Sequence, residues 1–144
     1  MTFTCALLAF LVAAPPSAPA SLDDIRREPD AKRRFERAIA FADAQGLAAR
    51  QLVRDNGLRA DLEKLLTTTV EAAQLALDSL RSTGLRPSKL SKQYKKGEVR
   101  TRELERLLGD LALALSVDDR PTAEKARDQV GVIHEEFLLG VMSK

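Results

Sequence analysis

His134, in the stretch "GVIHEEFLL", is the only histidine of the chain, so any metal, heme or acid–base chemistry that needs an imidazole has to be built around it. The zinc-protease pattern requires a second histidine four residues on, and Leu138 stands there. A di-iron helical site requires Glu-x-x-His on two helices, but position 131 is Gly and there is no second His. Cys5 is the only cysteine, which excludes heme attachment through Cys-x-x-Cys-His. A Met–His axial pair would use His134 and Met142, which fall on one helix and cannot flank a heme plane. A Ser-His-Asp triad needs three groups converging in a cleft, and no Gly-x-Ser-x-Gly elbow or Gly-rich phosphate loop occurs. The pairs Asp23/Asp24, Asp118/Asp119 and Glu135/Glu136 are sequential, so their carboxylates diverge on a helix or sit at caps. Thr67, Thr68 and Thr69 fall inside a helical pattern, where their hydroxyls can bond the backbone one turn back. These residues predict no catalytic residue, no metal site and no cofactor. The chain is expected not to be an enzyme, with His134 a boundary residue beside Ile133.

One stretch departs from the rest by charge. From Leu85 to Arg102 there are seven basic residues, Arg86, Lys89, Lys92, Lys95, Lys96, Arg100 and Arg102, against the single acid Glu98. The stretch carries +6 within a chain of net charge +2, so the remainder is −4. On a helix, Lys89, Lys92, Lys96 and Arg100 would form one stripe away from the apolar seam. A solvated surface accounts for such a stripe; so does a docking surface for an anionic partner. Only Tyr94 interleaves with the cations, which argues against single-stranded nucleic acid, where aromatic platforms are the rule.

The N-terminus bounds where such a partner would be met. Residues 1–20 carry no charge, and Ala6 to Ala14 is an unbroken apolar run followed by "PPSAPA". Small residues at Ala18 and Ala20 fit a signal-peptidase site, so the pattern predicts a secretory signal over residues 1–20, cut after Ala20. The n-region "MTFTC" lacks the usual Lys or Arg. The run is too short for a membrane span, which needs about 20 apolar residues, so no transmembrane span is expected after processing. The expected location is exported, periplasmic or extracellular. Candidate anionic partners there are envelope components or an acidic protein, and nucleic acid is not expected. Cys5 lies in the signal, so the mature chain would have neither disulfide nor thiol.

Residues 21–144 are the right size for one domain with one core. Ala, Leu, Arg, Glu and Lys dominate and β-branched residues are sparse, which favours helix throughout. Ser21 and Asp24 can cap a short turn that Pro29 ends. Gly, Pro and polar clusters then mark four helices, at about 30–56, 58–83, 91–116 and 119–142. Each has about 25 residues, roughly 38 Å long at 1.5 Å per residue. Gly57 is expected to close the first in a left-handed conformation and Gly84 the second. Asp118 or Asp119 can cap the last, with Pro121 in its first turn.

Apolar spacing gives each helix one inward stripe. These are Phe35, Ile39, Ala42, Gly46, Ala49 and Val53; Leu62, Leu66, Val70, Ala73, Leu77 and Leu80; Thr101, Leu104, Leu108, Leu111 and Leu115; and Ala123, Ala126, Val130, Ile133 and Phe137. Gly46 lies in a seam and permits close approach, whereas Gly109 lies off its seam. The expected fold is all-α, an antiparallel up-down four-helix bundle, with Phe35, Leu80, Tyr94 and Phe137 in one bulky layer. The alternative is a helical-hairpin module. "LVRDNGLRADLEKLL" resembles the turn of tetratricopeptide-like hairpins, although no period near 34 residues is present.

The layout as a whole is similar to that of small exported all-helical bacterial proteins of unassigned function. The signal, the lead "SLDDIRREP", the two long hairpins and the basic entry "KQYKKGEVRTRELERLL" carry the resemblance, which implies neither ligand nor catalytic residue. The expected role is a non-catalytic cell-envelope interaction module that docks through the basic stretch. The alternative is a structural or oligomerising bundle joined through Phe41, Leu47, Leu107 and Leu139.

Overall fold

The structure, a computed structural model, describes residues 21–144. The expected signal over residues 1–20 lies outside the described residues. All regular structure among the described residues is helical, with five α-helices packed together. Helix α1 spans Leu22–Arg26, α2 Ala31–Arg54, α3 Arg59–Arg81, α4 Ser91–Ala114 and α5 Arg120–Met142, and a 3-10 turn, Pro87–Leu90, leads into α4.

Local chemistry sets the boundaries. Ser21 and Asp24 form the expected capping box of α1, each side chain accepting from the other's backbone N–H. Asp30 caps α2 by accepting the Arg33 N–H at 2.7 Å. The end of α2 differs from expectation. Asn56, with φ +53°, is the left-handed residue, and Gly57 follows it. The Asn56 N–H bonds the Val53 carbonyl at 3.2 Å and the Gly57 N–H bonds the Leu52 carbonyl at 2.9 Å, the paired bonds of a Schellman ending. Gly57 is there for space, since a Cβ would overlap the Leu52 side chain. Gly84 does take φ +67° after α3. Asp119 precedes α5 without capping it by its side chain. Its carboxylate is turned to the Ser116 hydroxyl and to Arg59 instead.

The four stripes become the core. All their members are buried except Val53, Val70 and Leu115, which are half-buried. Phe35 and Phe137 meet edge-to-face across the core with ring centroids 6.2 Å apart, and Tyr94 meets Phe137 likewise at 6.0 Å. Each fully buried ring contributes roughly 1.5–3 kcal/mol through its area alone. The layer closes because a Cβ on Gly97 would run into the Phe137 ring and one on Gly140 into the Tyr94 ring.

Directions alternate along the chain, but the lateral neighbours are not all antiparallel. Helix α2 packs on α3 and α4, and α5 packs on α4 and α3. Lys96 pairs with Glu36 and Arg100 reaches Asp43 at 3.9 Å, so α2 and α4 run parallel side by side. Arg59–Asp119 at 3.2 Å and Arg81–Glu136 at 2.5 Å show the same for α3 and α5. Two antiparallel hairpins therefore stand beside each other with like helices adjacent. A bundle of purely antiparallel neighbours would set α2 against α5. The α2–α4 seam explains the difference: Gly46 admits Leu104, whose Cδ1 would lie 2.7 Å from a Cβ there.

Helix α1 covers the first hairpin by contacting α2 and α3. It buries Leu22 and Ile25. No helix of the described residues is long and apolar enough to cross a membrane.

Candidate docking surface

The basic stretch starts at the turn after α3. The Thr83 hydroxyl accepts the Leu85 N–H at 3.1 Å, which fixes the chain leaving Gly84. Pro87 opens the 3-10 turn, and Leu90 anchors that turn by complete burial. Tyr94, one helical turn later, is also buried. With Leu90 and Tyr94 facing the core, Arg86, Lys89, Lys92 and Lys95 are left exposed.

The seven expected site residues divide into two groups. Lys96 pairs with Glu36 of α2. Arg100 lies between Asp43 of α2 at 3.9 Å and Glu103 at 3.4 Å. Arg102 reaches Glu98 at 3.4 Å on the side of α4 that faces α5. These three flank α4 and are neutralised, so the single stripe of Lys89, Lys92, Lys96 and Arg100 is interrupted. Arg86, Lys89, Lys92 and Lys95 have no carboxylate within 4.0 Å among the described residues. They stand together at the end of the molecule where α4 begins.

Residues that sequence reasoning left out complete the picture. Glu36 and Asp43 lie seven apart on α2, a spacing that puts them on one face. Only the parallel placement of α2 against α4 gives that spacing its meaning. His134 is more than a boundary residue. Its Nε2 lies 3.1 Å from Glu98 Oε1 and its Nδ1 3.7 Å from Glu105 Oε2. The His134 and Glu98 side chains are only 16% and 14% exposed. Imidazole, two carboxylates and Arg102 thus form a half-buried network tying α5 to α4. It ties two helices together, and its more exposed members Arg102 and Glu105 also edge an open groove of about 480 Å³ between α4 and α5. Among the described residues, no group of three or more His, Cys, Asp or Glu could hold a metal ion, and no buried side-chain nitrogen or oxygen lacks a partner.

Thr68 and Thr69 donate to the carbonyls of Lys64 and Leu65 at 2.8 and 2.7 Å. An open groove of about 480 Å³ runs between α3 and α5, floored by Val70 and Ile133 and edged by Arg26 and Glu71, which lie 3.8 Å from each other. Of the apolar residues expected at subunit contacts, Leu47 and Leu139 are exposed. Phe41 and Leu107 pack partly buried against the core. No family model, curated protein or solved structure matches the chain.

Proposed function

We propose that the protein is an exported, non-catalytic interaction module of the cell envelope that docks through the end of the molecule where α4 begins. The operative residues are Arg86, Lys89, Lys92 and Lys95, and the partner is an anionic envelope component or acidic protein. The single observation that carries this reading is that these four cations are exposed and unpaired while Lys96, Arg100 and Arg102 are each matched by an acid. A surface that merely needed solvation would have no reason to leave its cations concentrated in one place, where they repel one another. Export, with cleavage after Ala20, rests on the N-terminal pattern, and the scaffold is read as one four-helix bundle. The lateral placement of α2 beside α4 and of α3 beside α5 favours a bundle assembled from two stacked helical hairpins.

The test is retention of residues 21–144 on a soluble polyanion, polyglutamate, across a salt series. Screening shortens from about 10 Å at 0.1 M to about 3 Å at 1 M, so retention should fall as salt rises. Lys92→Glu/Lys95→Glu changes the local charge by four and should lose retention at all salt concentrations. Equal retention of the variant and wild type would overturn the reading.

A further inference from the structure

We infer that the partner of this basic end is the surface of an anionic lipid bilayer, an inference that rests on the docking reading above. The cations are not alone there. Leu85 is 52% exposed in the turn between α3 and α4, next to Arg86. The 3-10 turn packs on α5 as well as on α4, so the C-terminal end of α5 lies at the same end of the molecule. There Met142 is 69% exposed. Apolar tips amid unpaired cations are what an anionic interface selects. The aliphatic groups enter the headgroup boundary while Lys and Arg remain with the phosphates, their stems adding apolar contact. A polymer or protein carrying only charge gives no role to Leu85 and Met142.

The opposite end supplies an internal control. Leu58 is 72% exposed and Val117 76% exposed, so apolar exposure alone does not distinguish the ends. Those residues stand among charges of both signs, Asp55, Asp61, Asp118 and Asp119 with Arg54, Arg59 and Arg120, so the chain there offers no comparable run of cations to an anionic membrane. Between Arg81 and Gly97, by contrast, there are six basic residues and no acid. Exposed apolar residues and the long acid-free run of cations coincide at the end where α4 begins. The rigid part of that end is the buried anchor formed by Leu90 and Tyr94, which fixes the cations before any membrane is met.

The experiment is co-sedimentation of residues 21–144 with vesicles of phosphatidylglycerol and phosphatidylethanolamine, with phosphatidylcholine vesicles and polyglutamate binding measured in parallel. Wild type should sediment with the anionic vesicles and stay in solution with the neutral ones. Leu85→Ser/Met142→Ser, at two exposed positions, should keep polyglutamate binding and lose about tenfold in vesicle partitioning, the scale set by removing two buried aliphatic groups. Lys92→Glu/Lys95→Glu should lose both kinds of binding, and circular dichroism checks that both variants remain helical. Polyglutamate binding without vesicle binding would overturn the lipid assignment and leave the docking reading standing. Unchanged vesicle partitioning of Leu85→Ser/Met142→Ser would do the same, as would equal sedimentation with neutral vesicles. Failure of wild type to bind either probe would overturn both.

Discussion

At the end where α4 begins, Phe35, Tyr94 and Phe137 fill the core, and Gly97 and Gly140 let the rings close on their neighbours. At the end where α4 stops, the core is built of smaller side chains such as Ala49, Leu62, Leu111, Ala112, Ala123 and Ala126, and the neighbouring Val53 and Leu115 are half-buried around an open groove. The surface divides the same way. The aromatic end carries the acid-free run of Arg86, Lys89, Lys92 and Lys95, whereas at the other end cations and acids intermingle, with Arg59 matched by Glu63 and Asp119. The comparison teaches that the aromatic layer lies beneath the long acid-free run of cations. A surface that concentrates like charge is under self-repulsion, and a large interlocked layer below it supplies the rigidity to hold those charges in place.

The hardest test of this asymmetry is to remove its largest ring. Phe137 is fully buried and touches both other aromatics. Phe137→Ala should cost about 3–5 kcal/mol, the range for truncating a buried Phe. Leu115→Ala, at the half-buried far end, should cost about 1 kcal/mol, since less of its area leaves water on folding. Urea midpoints measure both. Equal losses would show that the two ends are packed alike and would break the comparison.

Two glycines of α4 sharpen it. At Gly97 an added methyl runs into the Phe137 ring, whereas at Gly109 it would meet only Arg127 Cδ at 3.6 Å, an ordinary contact. Gly97→Ala should therefore destabilise by about 1–3 kcal/mol through overpacking. Gly109→Ala should stabilise by up to about 1 kcal/mol through helix propensity. The same substitution on the same helix then has opposite signs, and thermal melts read both. A neutral Gly97→Ala would mean that the aromatic layer can yield.

The sequence carried the fold through periodicity. The four stripes named the core because a side chain's facing follows from 3.6 residues per turn alone. Features that depend on another helix were not legible. Gly97 and Gly140 look like weak points in their helices until Phe137 and Tyr94 are seen opposite them. That Asn56 rather than Gly57 takes the left-handed conformation is not legible, because glycine is the commoner choice there. The basic stretch was legible as an excess of charge. Its division was not, because Glu36 and Asp43 neutralise it from α2, about sixty positions away, across a parallel seam that spacing within one helix cannot announce. The contacts of His134, a boundary residue as expected, are hidden for the same reason, since its partners Glu98 and Glu105 lie on α4.

The smallest predicted effect lies between the two ends, where α4's paired cations meet α2. Asp43 sits there beside Arg100 in a shallow groove with Leu47, Leu104 and Leu107. Burial pushes its carboxyl above the ordinary value of 3.8, with Arg100 pulling it back down and Glu103 adding to the rise. A raised carboxyl pKa means that the folded chain holds this proton more tightly than the unfolded chain does. The resulting stability is fully present below pH 3.8 and is lost as the pH rises through the elevated folded value. At neutral pH the ionised Asp43 therefore subtracts from stability, even with Arg100 at 3.9 Å. Asp43→Asn removes the titration and keeps the shape. It should stabilise the fold at neutral pH by less than about 1 kcal/mol, because the side chain is partly exposed and solvent screens it. At about pH 3, where wild-type Asp43 is protonated, that gain should vanish. Urea midpoints of wild type and Asp43→Asn at the two pH values give the answer. A variant less stable than wild type at neutral pH would show that the attraction of Arg100 outweighs burial. The paired cations of α4 would then be stabilising contacts in their own right, and the contrast with the unpaired end would be deeper than packing alone makes it.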